Sequence, residues 1–284
     1  MFDIVSFIPR AVAQATPLLL GSTGETITEK SGNLNLGIPG VMYVGAISGV
    51  IGAFFYEQKV GSVENANAFL AITIPLVCCL LGSFLMGLLY CFLTVTLRAN
   101  QNVTGLALTT FGVGFGNFFG GSLIKLSGSS LPSIIMTNTS NVFRRSLPAA
   151  ENMGAFGKLF LSYGFLAYVA VIIALAAAWF LNRTRTGLHL RAVGESPTTA
   201  DAAGINVSRH KYMATCIGAM IAGLGGLYIL HMYIPSGMNL AVKELYKMAP
   251  YVVTIVVLVL SSMRNKRENQ PPASLGLPYF REER

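Results

Sequence analysis

The sequence is poor in charged side chains. Only 11% of its 284 residues are Asp, Glu, Lys or Arg, and the mean hydropathy is +0.59. Soluble domains carry about 25% charged residues, so the shortage argues against a soluble enzyme and indicates a membrane protein. Acidic residues are fewer than basic ones, 12 against 20, which gives a net charge of +8. Because the basic residues lie between apolar runs, they predict orientation in a bilayer rather than binding to nucleic acid.

The chain also lacks the motifs of nucleotide-binding, catalytic and metal sites. No G-x-x-x-x-G-K-[ST] occurs, and the similar string GAFGKLF at 154–160 lacks the Ser or Thr. No paired metal ligands or nucleophile motifs are present. The cysteines, which we interpret as reduced packing residues, are Cys78, Cys79, Cys91 and Cys216. His231 is predicted to be interfacial, with a substrate contact as the alternative. We therefore expect no catalytic activity, cofactor or metal in this chain.

Long apolar runs dominate the sequence instead. A bilayer core is crossed by about 20 mostly apolar residues, and these runs predict an all-α transmembrane bundle of about seven spans. The candidate spans cover residues 8–24, 38–56, 69–97, 102–124, 158–181, 211–234 and 246–263. Basic residues at 182–210 and after 263 place both regions in the cytoplasm and the N-terminus outside. We divide the chain into a membrane domain, 1–263, which includes the cytoplasmic loop 182–210, and a basic cytoplasmic tail, 264–284.

Small residues recur at every fourth position in two spans. Gly45 and Gly49 do so in the second span, and Gly112, Gly116 and Gly120 in the fourth. Small side chains at this spacing let helix backbones approach closely in a membrane. The pattern predicts helix packing, with a subunit interface or a pathway lining as alternatives.

A polar stretch, GETITEKSGNLNLGIPGVMYVGA at 24–46, separates the first two spans. Irregular backbone near membrane depth is tolerated only where protein or a watery cavity satisfies its polar groups. A structural turn and an element of a substrate pathway both remain open. Polar groups facing lipid are costly, so amides within or beside spans are pathway candidates. Asn33, Asn35 and Asn117 come first, followed by Thr109, Thr110, Thr215 and Tyr228.

A second polar stretch, RAVGESPTTADAAGINVSRHK at 191–211, carries the signals of a short helix. Ser196 suits the N-cap, Pro197 the first turn and Gly204 the position after the end, which predicts a helix over 197–203. Asp201 is its charged residue. Its small residues, which allow close approach to another surface, are Thr198, Thr199, Ala200, Ala202 and Ala203. Arg191 and Glu195 are candidates for anchoring the loop.

Three stretches in order carry a family resemblance. The first contains Gly24-Glu25, Glu29 to Gly32, Asn35 to Gly37 and Gly45-Ala46. It closely resembles the N-terminal signature of permease subunits of nucleoside and simple-sugar ABC importers, within the branched-chain amino acid and ribose permease superfamily. The stretches at 187–226 and 246–284 are similar to the cytoplasmic loop and the C-terminal end of these permeases. Pro39 is a departure, since the family often has Glu there.

The resemblance implies a transport subunit of the bacterial inner membrane that moves nucleosides or related sugars by alternating access. It implies four partners: a cytoplasmic ATPase that binds ATP and Mg²⁺, a second permease, an extracytoplasmic substrate-binding lipoprotein and membrane lipid. In such importers a short cytoplasmic helix of the permease sits in a groove of the ATPase. The resemblance assigns that role to Arg191, Glu195 and residues 196–204.

Two alternatives to an importer subunit remain. A secondary transporter or channel acting alone would need a coupling ionisable residue, and the spans lack acidic residues near their centres. A transport-incompetent remnant is the other alternative. Family members usually continue after the equivalent of Pro235 for roughly sixty residues that include further spans of about 20 residues each. Here only a short stretch separates Pro235 from the last apolar run.

Overall fold

The computed structural model describes residues 4–61, 67–126, 136–146, 154–228 and 270–280. The described residues contain helices and turns but no strand, which confirms the all-α prediction. The helices are α1 (Ile4–Glu29), α2 (Ile38–Val60), α3 (Ala68–Cys91, continued by a π-helical turn, Phe92–Thr96), α4 (Gln101–Leu126), α5 (Thr137–Arg144), α6 (Gly154–Phe160), α7 (Phe165–Arg183), α8 (Arg185–Glu195), α9 (Pro197–Ala202) and α10 (Val207–Leu227).

Three of the described helices are long and apolar enough to cross a membrane, namely α2, α3 with its π-helical turn, and α7. The helices α1, α4 and α10 contain 26, 26 and 21 residues. At about 1.5 Å per residue they are about 39, 39 and 32 Å long, which is enough to cross a hydrocarbon core of about 30 Å, although they are less apolar. The predicted seventh span, 246–263, and the end of the sixth lie outside the described residues.

The predicted fifth span, 158–181, is wrong as one continuous helix. The helical conformation is interrupted at residues 161–164, between α6 and α7. Gly164 adopts an extended conformation before α7 begins. The hydroxyl of Tyr168 donates to the Phe160 carbonyl over 2.9 Å and so joins the two helices across the break. The sequence did not predict this interruption because the residues around it are mostly apolar.

The first span was predicted to end at residue 24, but α1 continues to Glu29. Gly24, Glu25 and Glu29 are therefore helical and do not form a loop. Hydroxyls near the end of α1 bond back to the preceding turn: Thr26 donates to the Ser22 carbonyl over 2.8 Å. Such bonds satisfy the hydroxyl groups inside the helix.

The helix α10 lies at the centre and packs against α1, α2 and α3. Gly24 of α1 faces Gly218 of α10 so closely that a Cβ on either residue would collide with the other backbone. A Cβ on Gly45 of α2 would lie 2.8 Å from the Cα of Gly223 in α10. One on Gly49 would meet the Pro75 carbonyl oxygen at 3.1 Å. Small residues thus allow the central helices to approach one another closely.

The helix α4 packs on the other side of α2 through one row of glycines. A Cβ on Gly112 would lie 2.5 Å from the Cα of Gly40, while one on Gly116 would lie 3.3 Å from the Tyr43 ring. A Cβ on Gly120, further along the row, would lie 3.7 Å from the Ile47 side chain. This row therefore fixes the contact between α2 and α4.

Candidate functional site

Several connections meet at one end of the bundle. They are the turn between α1 and α2 (residues 30–37), the turn between α3 and α4 (97–100), the helices α8 and α9, and residues 270–280, which we call the tail segment. The topology predicted from the basic residues assigns all of them to the cytoplasm. We refer to this end as the cytoplasmic face.

The capped helix of this face is α9, Pro197–Ala202, which ends one residue earlier than predicted. The Ser196 side chain accepts the backbone N–H of Thr199 at 3.4 Å, and Pro197 occupies the first turn. Gly204 follows the end with a φ of 82°, in the left-handed region that favours glycine. Local sequence signals therefore place the helix and its two ends to within one residue.

The helix α9 presents small side chains to solvent. Ala200 is its buried residue, at 4% exposure, and Asp201 is half-buried. The exposed positions are Thr198, Thr199, Ala202, Ala203 and Gly204. No side chain in this exposed set is larger than threonine, so another protein surface can approach the α9 backbone closely.

The two predicted anchors bond to different elements. Arg191 on α8 donates from Nη1 to the Asn182 side-chain oxygen of α7 over 3.2 Å. Glu195 at the end of α8 accepts the Ala273 N–H of the tail segment at 3.3 Å. The first contact ties α8 to a membrane helix, and the second ties it to the tail segment.

Asp201 has a partner within the chain that the sequence did not reveal. Its Oδ2 accepts a hydrogen bond from the Tyr279 hydroxyl at 2.9 Å. Beside this pair lies a polar recess of about 320 Å³, which Gly204, Asn206 and Ser208 also line. A second cavity, between α1, α7, α8 and α10, is lined by apolar side chains alone.

The turn between α1 and α2 is densely packed. Asn33 and Asn35 are 0% and 2% exposed. The Asn35 N–H donates to Glu25 Oε1 at 2.9 Å, and Asn35 Oδ1 accepts the Gly37 N–H at 2.9 Å. Glu25 Oε2, Asn33 Oδ1 and Asn35 Nδ2 are buried without a hydrogen-bond partner among the described residues. The polar signature thus forms an internal network at the cytoplasmic face.

Gly32 and Gly194 bring this turn into contact with α8. Gly32 has a φ of 85°, and its N–H donates to the carbonyl of Glu29, the last residue of α1, at 2.8 Å. A Cβ on Gly32 would lie 3.3 Å from the Cα of Gly194. The two backbones therefore touch where a side chain would separate them.

Asn117, the remaining amide candidate, lies far from the turn. It is exposed on α4, sixteen residues beyond the helix start at Gln101, or about 24 Å along the axis. It shares an exposed stripe with Thr110, Gly114 and Gly121. A Cβ on either of these glycines would meet nothing within 4 Å in the chain. The structure thus separates Asn117 from Asn33 and Asn35.

The other polar candidates are mostly engaged inside the chain. Thr215 is buried and accepts from Asn33, Thr109 donates to the Leu36 carbonyl at 3.0 Å, and Thr110 donates within α4. Tyr228 is buried at the end of α10. His231 lies outside the described residues, as do the connection after Pro235 and the rest of the tail.

Comparison with known proteins identifies the family. The family model described as branched-chain amino acid transport system / permease component matches residues 7–258. A Haloferax volcanii permease protein assigned to glucose ABC transport, TsgC13, is 31% identical over 77% of this chain and 60% of its own length. The Bacillus subtilis guanosine ABC transporter permease protein NupQ is 29% identical over 77% of this chain and 65% of its own.

The Lactococcus lactis nucleoside ABC transporter permease protein NupC is 30% identical over 75% of this chain and 63% of its own length. The chain thus spans less than two thirds of the length of these relatives. No solved structure matches it significantly. The family match covers most of the predicted spans and the whole described part of the cytoplasmic loop. This chain belongs to the family of the branched-chain amino acid transport system permease component, whose members are multi-pass membrane transport subunits.

Proposed function

We propose that the chain is the membrane-spanning subunit of an ATP-driven importer of nucleosides or related simple sugars. The observation that carries the proposal is α9, a capped helix of six residues with an exposed small-residue surface, in a chain of the permease family. Relatives that are 29–31% identical to this chain carry names of guanosine, nucleoside and glucose transport. The family does not favour a secondary transporter acting alone.

In this proposal α9 is the contact with a separate ATPase subunit, which binds ATP and Mg²⁺. At about 1.5 Å per residue α9 is about 9 Å long, enough to fill one groove. The polar recess between Asp201, Tyr279 and Ser208 lies next to it and suits a polar side chain of the partner. Because α9 carries no bulky exposed side chain, the fit depends on close backbone approach.

The exposed stripe on α4 supports a second permease subunit and a substrate path between the two. Asn117 lies in a membrane helix, where an amide facing lipid is costly. Gly114 and Gly121 pack on nothing within the described chain. A partner helix or a polar substrate accounts for both features. The related Bacillus subtilis pair NupQ and NupP, both named guanosine ABC transporter permease proteins, fits an importer with two permeases.

Uptake tests the proposal. Cells that lack the chain are supplied with the wild type, Ala202→Arg or Ala192→Arg, and uptake of labelled guanosine, uridine and glucose is measured. Ala202 lies on the exposed surface of α9, and Ala192 is an exposed alanine of α8 that serves as the matched control. We expect uptake of at least one of these compounds with the wild type and the control, and its loss with Ala202→Arg. A remnant would bind the ATPase but give no uptake in any strain.

A further inference from the structure

The tail segment reaches the turn between α1 and α2 by two hydrogen bonds. The Lys30 side chain donates from Nζ to the Gln270 carbonyl at 3.2 Å, and the Gly276 N–H donates to the Gly32 carbonyl at 3.1 Å. The second is a backbone bond, so it does not depend on the side chain at either position. It lies where the turn contacts α8.

The same segment bonds to the end of α8. The Ser274 N–H donates to the Gly194 carbonyl at 3.2 Å, and the Ser274 hydroxyl donates to the same oxygen. Gly194 is the residue that touches Gly32. The tail segment therefore bonds to both residues of this contact, to Gly194 in α8 and to Gly32 in the turn.

Its far end reaches α9 and the turn between α3 and α4. The Tyr279 ring packs beside an apolar cluster formed by Val193, Ala200 and Val207, while its hydroxyl donates to Asp201. The Arg98 guanidinium lies 4.7 Å from the centroid of the next aromatic ring, Phe280, within cation–π range.

The helix α9 also contacts α8 and α10. Its six residues include one buried side chain, Ala200, which contributes little apolar area. A hydrogen bond to a carboxylate is stronger than one between neutral groups. The Tyr279 hydroxyl and ring therefore add a charge-assisted hydrogen bond and an apolar contact to the interactions that orient α9.

From these contacts we propose that the tail segment is a strap that positions α9 against the turn between α1 and α2, with Tyr279 as the positioning residue for Asp201. The inference rests on the proposed role of α9 in coupling. Movement of α9 is then transmitted to the ends of α1 and α2 through the tail backbone. Without the strap, α9 would rotate when its partner moves, and the movement would not reach α1 and α2. A partner shifts the transporter between states only through contacts that differ between them.

Hydrogen exchange on the full-length protein in detergent tests the contact without any partner. Tyr279→Phe removes the hydroxyl and keeps the ring, and we expect the amides of α9 to exchange about tenfold faster. Asp201→Asn keeps an acceptor oxygen but removes its charge, so its exchange rate should lie between those of Tyr279→Phe and the wild type. Leu277→Ala is the control, because Leu277 is 58% exposed in the same segment. Unchanged exchange in Tyr279→Phe would overturn the proposal.

A second measurement separates the strap from the proposed function. The ATPase subunit recovered with each variant and the substrate imported per ATP hydrolysed are measured together. We expect Tyr279→Phe to recover the ATPase as the wild type does, with import per ATP reduced several-fold. Equal import per ATP in the two proteins would overturn the strap. An ATPase missing from the wild-type preparation would instead contradict the proposed function. The hydrogen-exchange result would still test the contact between Tyr279 and Asp201.

Discussion

Asn33 in the turn between α1 and α2 donates from Nδ2 to the hydroxyl of Thr215 in α10 over 3.0 Å, across 182 positions of sequence. Both side chains are 0% exposed. The helix α10 follows α9 after a short connection and begins at an N-cap, Asn206, whose side chain accepts the Arg209 N–H. The turn that carries the family signature is therefore attached to the helix that α9 leads into.

Replacing Asn33 with alanine should destabilise the protein. The change removes a buried donor and leaves the Thr215 hydroxyl without that partner, at a cost of about 1–3 kcal/mol. Thermal unfolding of the purified protein in detergent measures the loss. Thr215→Val should cost a similar amount, and the double variant should cost clearly less than the sum. Strict additivity would show that the two side chains do not interact.

The glycine row and the exposed stripe of α4 should respond differently to alanine. Gly112→Ala places a methyl group against the Gly40 backbone, and overpacking of this kind costs about 1–3 kcal/mol. Gly114→Ala, two residues away, meets nothing within 4 Å in the chain and should leave the stability of the isolated subunit unchanged or slightly raised. Detergent melting temperatures distinguish them. Equal losses in both variants would contradict the packing of α4 on α2.

The cap of α9 gives a third prediction. Ser196→Ala removes the side-chain acceptor of the Thr199 N–H, at a cost of about 1 kcal/mol to the helix. Amide exchange over residues 197–203 should become several-fold faster. Ser196→Asp should restore the wild-type rate, because aspartate caps as well as serine. If alanine and aspartate at this position gave the same exchange rate, the cap would not stabilise α9.

Asn117 gives the fourth prediction. Asn117→Leu should lower uptake about fivefold, the effect of losing one hydrogen bond of about 1 kcal/mol, without reducing recovery of the ATPase. Asn102→Leu makes the same change at an exposed position near the start of α4 and should have little effect. Labelled-nucleoside uptake at matched protein levels measures both. Wild-type uptake in Asn117→Leu would remove Asn117 from the pathway.

The parts of the site that the sequence predicts depend on local chemistry. Ser196, Pro197 and Gly204 indicate the start and end of α9 because capping and a positive φ involve neighbouring residues only. The main spans follow from apolar runs for a similar reason. The break at 161–164 was missed because Ser162 and Gly164 lie between aromatic residues, and their composition resembles that of the span around them.

The tail segment was not predictable because its contacts are long-range. The bond from Tyr279 to Asp201 crosses 78 positions, and the one from Lys30 to Gln270 crosses 240. The segment has no helical or alternating pattern from which a buried side could be inferred. Asp201 was expected to offer a charge to a partner protein, whereas its carboxylate is engaged within the chain. A charge reversal at Asp201 therefore alters the strap as well as any interface, and Ala202 is the cleaner position for testing the interface.

Recovery of an ATPase with the purified protein tests the coupling role of α9 most directly. Tagged wild type, Ala202→Arg and Ala192→Arg are purified in mild detergent, and the co-purifying subunits are quantified by mass spectrometry. We expect an ABC ATPase and a second permease to co-purify with the wild type and with Ala192→Arg. With Ala202→Arg we expect at least about tenfold less ATPase, since a buried unpaired charge is costly. Equal recovery of the ATPase with Ala202→Arg, or none with the wild type, would show that α9 does not couple the chain to an ATPase.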